Sequence, residues 1–138
     1  MKLEANPDTI VLYKPYTKHE YVVHYAGPLR MEPLDQSHAA KKNKYRIFLS
    51  GDRPWGKIRT EADSARRLAV IKDSYGNAFI PFLLPHYKEI IVIDPRQFNE
   101  PLLGFLEKQG IRKVLFLNNT ETTTNQEFTE LITASMKR

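Results

Sequence analysis

The sequence predicts an α/β protein: a three-layer α/β/α parallel-sheet half over 66–138, preceded by a β-rich, loop-rich segment over 1–65. Three observations predict it. Apolar runs without alternation at 68–72, 89–93 and 113–117 suit strands covered on both faces. Helix-compatible stretches separate them, giving the β-α-β-α-β-α order of parallel strands joined by crossover helices. Upstream of Ala65, short β-like runs alternate with turn-rich stretches, which reads as antiparallel β with loops.

In chain order, the β-like runs are 9–13, 21–25, 44–49 and 56–60. Ala26-Gly27-Pro28 and Gly51-Asp52-Arg53-Pro54 punctuate them, and 27–43, polar and interrupted by Pro28 and Pro33, reads as a long excursion. The strand at 68–72 leads into a helix at 77–85, which Pro81 and Pro85 must shorten or kink because each removes an amide and crowds the preceding turn. After the strand at 89–93 comes a helix at 99–109, with Asn99 as its cap, Pro101 in its first turn and Gly110 at its end. The strand at 113–117 and a helix at 125–136 complete the series. With right-handed crossovers the second and third of these strands can flank the first, giving the expected order second, first, third.

In open α/β sheets chemistry gathers outside the carboxyl ends of the strands. There the chain reads Asp73-Ser74-Tyr75-Gly76, and Ser74 is the candidate nucleophile. The same position is where a helix cap belongs, a side-chain oxygen accepting from an orphan backbone amide. The expected strand order brings Asp94 and Arg96, and Asn118 and Asn119, around the crevice that Ser74 faces, with Asp73 and Asn77 beside it. Each has a plainer reading: Asn118-Asn119-Thr120 as a turn, Asp94 before Pro95 as a turn residue ion-paired to Arg96, and Asp73 as a cap.

A serine hydroxyl needs a base within hydrogen-bond reach. His86 lies roughly 15 Å or more from Ser74 if the intervening stretch is mostly helical. His24 alternates with Val22 in a strand, while His19 and His38 sit in polar, turn-like sequence, so none of the four is expected to serve. Trp55 beside Pro54 can stack on a sugar ring, but a lone tryptophan beside a proline is more often packing.

Composition fits one ordinary domain: 138 residues, 41% hydrophobic and 27% charged. With no cysteine there is no disulfide framework, thiolate metal site or thiol nucleophile, and neither a metal nor a cofactor is expected. Gly-rich P-loop or dinucleotide spacing is missing, which leaves phosphate-ligand binding the weakest reading. The net charge of +5 permits anionic partners such as phosphate-rich wall polymers. Its basic residues fall into Lys41/Lys42/Lys44/Arg46, Arg66/Arg67 and Lys137/Arg138 without a nucleic-acid motif, so no nucleic-acid partner is expected. No stretch reaches the ~18 apolar residues of a membrane span, and 1–6 lacks the apolar core of a signal peptide.

Three blocks in order, Lys72-Asp73-Ser74-Tyr75-Gly76-Asn77-Ala78-Phe79-Ile80-Pro81-Phe82-Leu83, Ile91-Val92-Ile93-Asp94-Pro95-Arg96 and Val114-Leu115-Phe116-Leu117-Asn118-Asn119, resemble the DHHW family of bacterial cell-envelope proteins. These are relatives of the SGNH hydrolases and of the acetyltransferases that modify alginate. Pro7-Asp8-Thr9-Ile10-Val11-Leu12-Tyr13 and Tyr45-Arg46-Ile47-Phe48-Leu49-Ser50-Gly51-Asp52 are also similar, so the resemblance covers nearly the whole chain. The Asp-His-His-Trp motif that names the family, expected to supply the base and its orienting acid, does not occur in the 138 residues. The chain is therefore expected to be the C-terminal portion of a longer protein, beginning within 1–6, or a divergent member without the dyad.

The resemblance implies an SGNH/flavodoxin-like fold and an extracytoplasmic, cell-envelope location. It implies a serine esterase or O-acyltransferase on acylated envelope glycans, inactive in isolation, in which Ser74 attacks an ester carbonyl. The oxyanion would be held by the Ser74 amide with Asn77 and Asn118 or Asn119, at a crevice lined by Asp73, Asp94 and Arg96. The alternative is a noncatalytic module that keeps the fold and holds an envelope polysaccharide.

Overall fold

The computed structural model describes residues 9–136. Pro7, Asp8, the stretch 1–6 and the Lys137/Arg138 pair lie outside the described residues. One mixed six-stranded sheet organises the chain, built from β1 (His19–His24), β2 (Pro28–Met31), β3 (Trp55–Thr60), β4 (Arg67–Lys72), β5 (Glu89–Ile93) and β6 (Val114–Leu117). Its order is β2-β1-β3-β5-β4-β6. β4 lies parallel between β5 and β6, as expected, while β3 joins β5 antiparallel and brings β1 and β2 into the same sheet.

The unbroken apolar runs are explained by two cores, one on each face. Leu68, Val70, Ile90 and Val92 pack with Ile80 and Leu84 on one side. Ala69, Ile71, Ile91 and Ile93 pack with Leu102, Phe105 and Leu106 on the other. All eight strand residues are no more than 5% exposed, and burial of each large one contributes about 1.5–3 kcal/mol.

Among the described residues four α-helices accompany the sheet: α1 (Ile80–Leu83), α2 (Leu102–Lys108), α3 (Thr120–Thr124) and α4 (Gln126–Ser135). The expected helix at 77–85 is broken as its prolines require. A 3₁₀ turn, Ser74–Ala78, leads into a single turn of α1, and a second 3₁₀ turn, Leu84–His86, follows it. α2 starts later than 99, and Pro101, not Asn99, stands at its N-cap. It ends as expected at Gly110 (φ +65°), where the Gly110 amide donates to Glu107 O and the Ile111 amide to Leu106 O, a Schellman closure. α3 was not expected; Asn119 caps it through the Glu121 amide, and Asn125 caps α4 through the Phe128 amide.

Two β-like runs are corrected. Residues 9–13 form no strand: Val11 and Tyr13 are 64% and 68% exposed, and the Tyr13 ring leans on Phe82. At 44–49 the chain makes a 3₁₀ turn, Lys44–Ile47, then one bridge from Phe48 to Leu34. Its apolar spacing serves packing of Ile47 and Leu49, not a ladder. The excursion at 27–43 contains β2, which closes a hairpin onto β1.

Candidate functional site

β4 and β5 end level with one another, since Ile71 pairs with Ile93. Lys72, Asp73 and Ser74 thus leave the sheet beside Asp94, at its carboxyl edge. Lys72 is 1% exposed, and a buried ammonium requires a partner. Asp52 supplies it, from the loop before β3: Lys72 Nζ donates to Asp52 Oδ1 at 2.8 Å. Asn77 Nδ2 donates to the same oxygen at 3.0 Å, and Arg96 Nη2 to Oδ2 at 3.1 Å. Burial pushes the Asp52 carboxyl up, but the hydrogen bond and charge of Lys72, with Asn77 and Arg96, more than reverse that and hold it below its ordinary value.

The loop that presents Asp52 is backbone-strained. Leu49 (φ 57°) and Ser50 (φ 54°) adopt the left-handed region without being glycine, immediately before Gly51 (φ 98°). Such strain persists only where surroundings over-determine it. Here the Leu49 amide donates to Pro33 O, Ser50 Oγ to Asp35 Oδ2, and the Arg46 guanidinium to Ser50 O.

At the serine turn the cap is Asp73, not Ser74. Asp73 Oδ1 accepts from the Tyr75 amide at 2.9 Å, and Oδ2 accepts from the Asn119 amide at 2.8 Å, tying the turn to the end of β6. Tyr45 holds the turn from outside, its hydroxyl shared between the carbonyl oxygens of Ser74 and Tyr75 at 3.0 Å each. Burial pushes the Tyr45 phenol above its ordinary value. Ser74 itself is half-buried, and its hydroxyl has no hydrogen-bond partner among the described residues. It opens onto a cleft of about 300 Å³ whose wall includes Tyr45, Arg46, Asp52, Arg53 and Asn77. Asn77 is 1% exposed, and its Oδ1 is unpartnered among the described residues.

Of the expected site residues, Ser74 and Asn77 share this cleft. Asp73 is 2% exposed and spent on the turn, so it does not line the crevice. Asp94 is fully buried and grips the Arg96 guanidinium (2.9 and 2.6 Å), which raises the arginine above its ordinary value. Arg96 reaches the Ser74 cleft only through Asp52, and lines a separate hollow of about 310 Å³ with Asn125 and Phe128. Asn118 and Asn119 are outside the cleft wall: Asn119 is committed to capping, and Asn118 Oδ1 is buried without a partner among the described residues.

Asp52, Lys72 and Tyr45 were not singled out as site residues. A lysine directly after the apolar run Leu68-Ala69-Val70-Ile71 was the available signal, because a buried cation implies a nearby carboxylate. None of the histidines lines the cleft. His24 stacks on Trp55 at 3.9 Å, His19 Nδ1 bonds Thr17 O, His38 lies by Asp35, and His86 is exposed.

Residues 1–93 match the family model described as "DHHW protein". Among solved structures, the chain is similar to a DHHW family protein from Eubacterium siraeum, with 29% identity and a TM-score of 0.80 over 95% of this chain and 45% of that one. It also shares its fold with Bacillus cereus PatB1, solved alone and with a sulfonyl adduct, at 21% identity and a TM-score of 0.68 over 79% of this chain and 38% of that one. The chain thus spans less than half the length of these structures. A comparison with curated proteins found no match.

Proposed function

The chain belongs to the DHHW family, and from that premise we propose that it is the Ser74-bearing part of an SGNH-like, three-layer serine esterase or O-acyltransferase acting on acylated cell-envelope glycans outside the cytoplasm. One observation carries the reading. Asp73 fills the capping role at the turn, so the Ser74 hydroxyl is left unpartnered among the described residues, at the mouth of a polar cleft. The sulfonyl adduct of PatB1 supports it by analogy, because sulfonyl groups are captured by activated nucleophiles.

In this reading Ser74 Oγ attacks the ester carbonyl, and the carbonyl oxygen becomes the oxyanion. The Tyr75 amide is already taken by Asp73, so the donor from the turn is the Ser74 amide itself. Asn77 adds the second hydrogen of its Nδ2, the first being held by Asp52. Asp52 stays ionised and positions Asn77 while neutralising Lys72. With no histidine at the cleft, the base that takes the Ser74 proton comes from outside these 138 residues, as a longer protein would supply.

The test is turnover of an acetyl ester reporter by the full-length gene product and by this chain. Full-length protein should be active, this chain inactive, and Ser74→Ala should lower full-length turnover by at least ~10³-fold. Undiminished turnover in the alanine variant would remove Ser74 as nucleophile. Glycan binding that ignores Ser74→Ala, with no turnover by the full-length form, would establish the noncatalytic module instead.

A further inference from the structure

The cleft stands at the carboxyl ends of β4 and β5; the chain's excess charge stands at the opposite end of the sheet. Arg66 and Arg67 open β4, Lys88 precedes β5, and Arg112 and Lys113 precede β6. β3 runs antiparallel to β5, so Lys57 and Arg59 come to the same end, as do Lys18 before β1 and Lys108 at the close of α2. Backbone hydrogen bonds stitch these segments together: Lys88 N–H to Arg66 O, Ala69 N–H to Lys113 O, and Glu61 N–H to Lys18 O, each at 2.9 Å.

With Arg30, which is ion-paired to Glu20, ten of the 21 Lys and Arg gather here against six of the 16 acids, Glu20, Glu32, Glu61, Asp63, Glu89 and Glu107, leaving eleven basic and ten acidic residues in the rest of the sequence. This pole therefore carries four of the five net positive charges. Glu89 is already engaged from within, 2.5 Å from Arg67 and 3.5 Å from Arg59. Arg66, Lys88, Lys108, Arg112 and Lys113 remain exposed.

We propose that this pole docks the protein on an anionic bilayer surface. Five strand ends at a spacing of about 4.8 Å spread the cations over roughly 20 Å, with the end of α2 behind them. A plane of lipid phosphates meets such a platform all at once, whereas one polymer strand crossing it would meet only a few cations. Each Lys or Arg held near an anionic membrane strengthens partition about fivefold, and the effect falls off within a Debye length. The six residues of β4 separate the pole from the cleft by about 20 Å, so docking turns Ser74 away from the lipid and outward. This inference does not depend on acyl chemistry at Ser74.

Sedimentation of the chain with lipid vesicles tests it. Phosphatidylcholine vesicles containing phosphatidylglycerol should bind the chain at low ionic strength and release it at high salt, and pure phosphatidylcholine should not bind it. The triple variant Arg66→Gln/Arg112→Gln/Lys113→Gln, its fold checked by circular dichroism, should bind about 100-fold more weakly. Lys41→Gln/Lys42→Gln/Lys44→Gln removes the same charge elsewhere and should bind within about threefold of the parent. The proposal is overturned if pure phosphatidylcholine binds equally, if the first variant binds like the parent, or if the second loses as much as the first. Capture of soluble polyphosphate under conditions where anionic vesicles do not bind would overturn it in favour of a polymer site.

Discussion

Asp52→Asn tests the ion network that supports the cleft. The Lys72 side chain is 2% exposed and Asp52 is 23% exposed, so removing the carboxylate charge strands a cation that water barely reaches. Breaking a buried pair from one side costs about 3–5 kcal/mol; the partial exposure of Asp52, and the oxygen asparagine retains, reduce this to about 2–3 kcal/mol. For a chain of 138 residues that lowers Tm by about 8–10 °C. Lys72→Met removes the buried charge and leaves Asp52 bound to Arg96 and Asn77, so it should cost about 1 kcal/mol. The double variant should then lie within about 1 kcal/mol of the parent, a coupling of about 2 kcal/mol in a double-mutant cycle measured by urea unfolding. The folded-state carboxyl lies below its ordinary value, so its contribution is present above the unfolded value near pH 4 and is lost as pH falls through the folded one. The parent's advantage over Asp52→Asn should shrink only below about pH 4. If Asp52→Asn unfolds within about 0.5 kcal/mol of the parent, or the double variant is worse than both singles combined, the network does not hold the site.

Trp55 is the chain's one tryptophan and lies flat against the His24 ring, 3.9 Å away with 7° between planes, so its fluorescence should report His24 protonation. Burial, then the Lys57 charge, hold that imidazole below its ordinary value, so the titration midpoint should fall below about pH 6.5 and vanish in His24→Gln; a midpoint above 6.5 contradicts the geometry. The unfolded chain takes that proton first, so the His24 contribution to stability is complete above about pH 6.5 and declines below it. At the serine turn, a Cβ on Gly76 would sit 2.7 Å from Lys72 Cβ and 3.2 Å from Leu117 O, so Gly76→Ala should destabilise by about 1–3 kcal/mol; unchanged thermal unfolding would show that the turn has room to move.

The sequence carried the parallel half because its signals are local and redundant. Three non-alternating runs, the Pro81/Pro85 break and Gly110 each had one physical reading, and the observed β5-β4-β6 is an order that right-handed crossovers permit. The antiparallel edge was less legible. At 44–49 a run rich in apolar residues answers two demands, a β-ladder or inward packing beside a turn, and only tertiary contacts decide between them. At the site, Ser74 and Asn77 could be read from their place after a strand, whereas Asp52 could not, since it arrives from a loop 20 residues away from Lys72. Asn119 lies outside the cleft wall for the reason that makes it a good cap: a short side chain that satisfies an orphan amide is spent on it.

Ser74 is positioned by contacts that do not involve its hydroxyl. Tyr45 holds its carbonyl and the next one, Asp73 holds the following amide and the end of β6, and Gly76 leaves no slack against Lys72 and Leu117. The turn is therefore set before any substrate arrives, which is what an oxyanion donor must be if it is not to spend binding energy on reorganisation. It also separates two ways in which a Ser74→Ala variant could fail. Since no observed contact uses Oγ, that variant should unfold within about 0.5 kcal/mol of the parent, and any loss of turnover reports chemistry at the hydroxyl. A Ser74→Ala protein that is clearly less stable would mean that the oxygen is structural, and the nucleophile reading would lose its support.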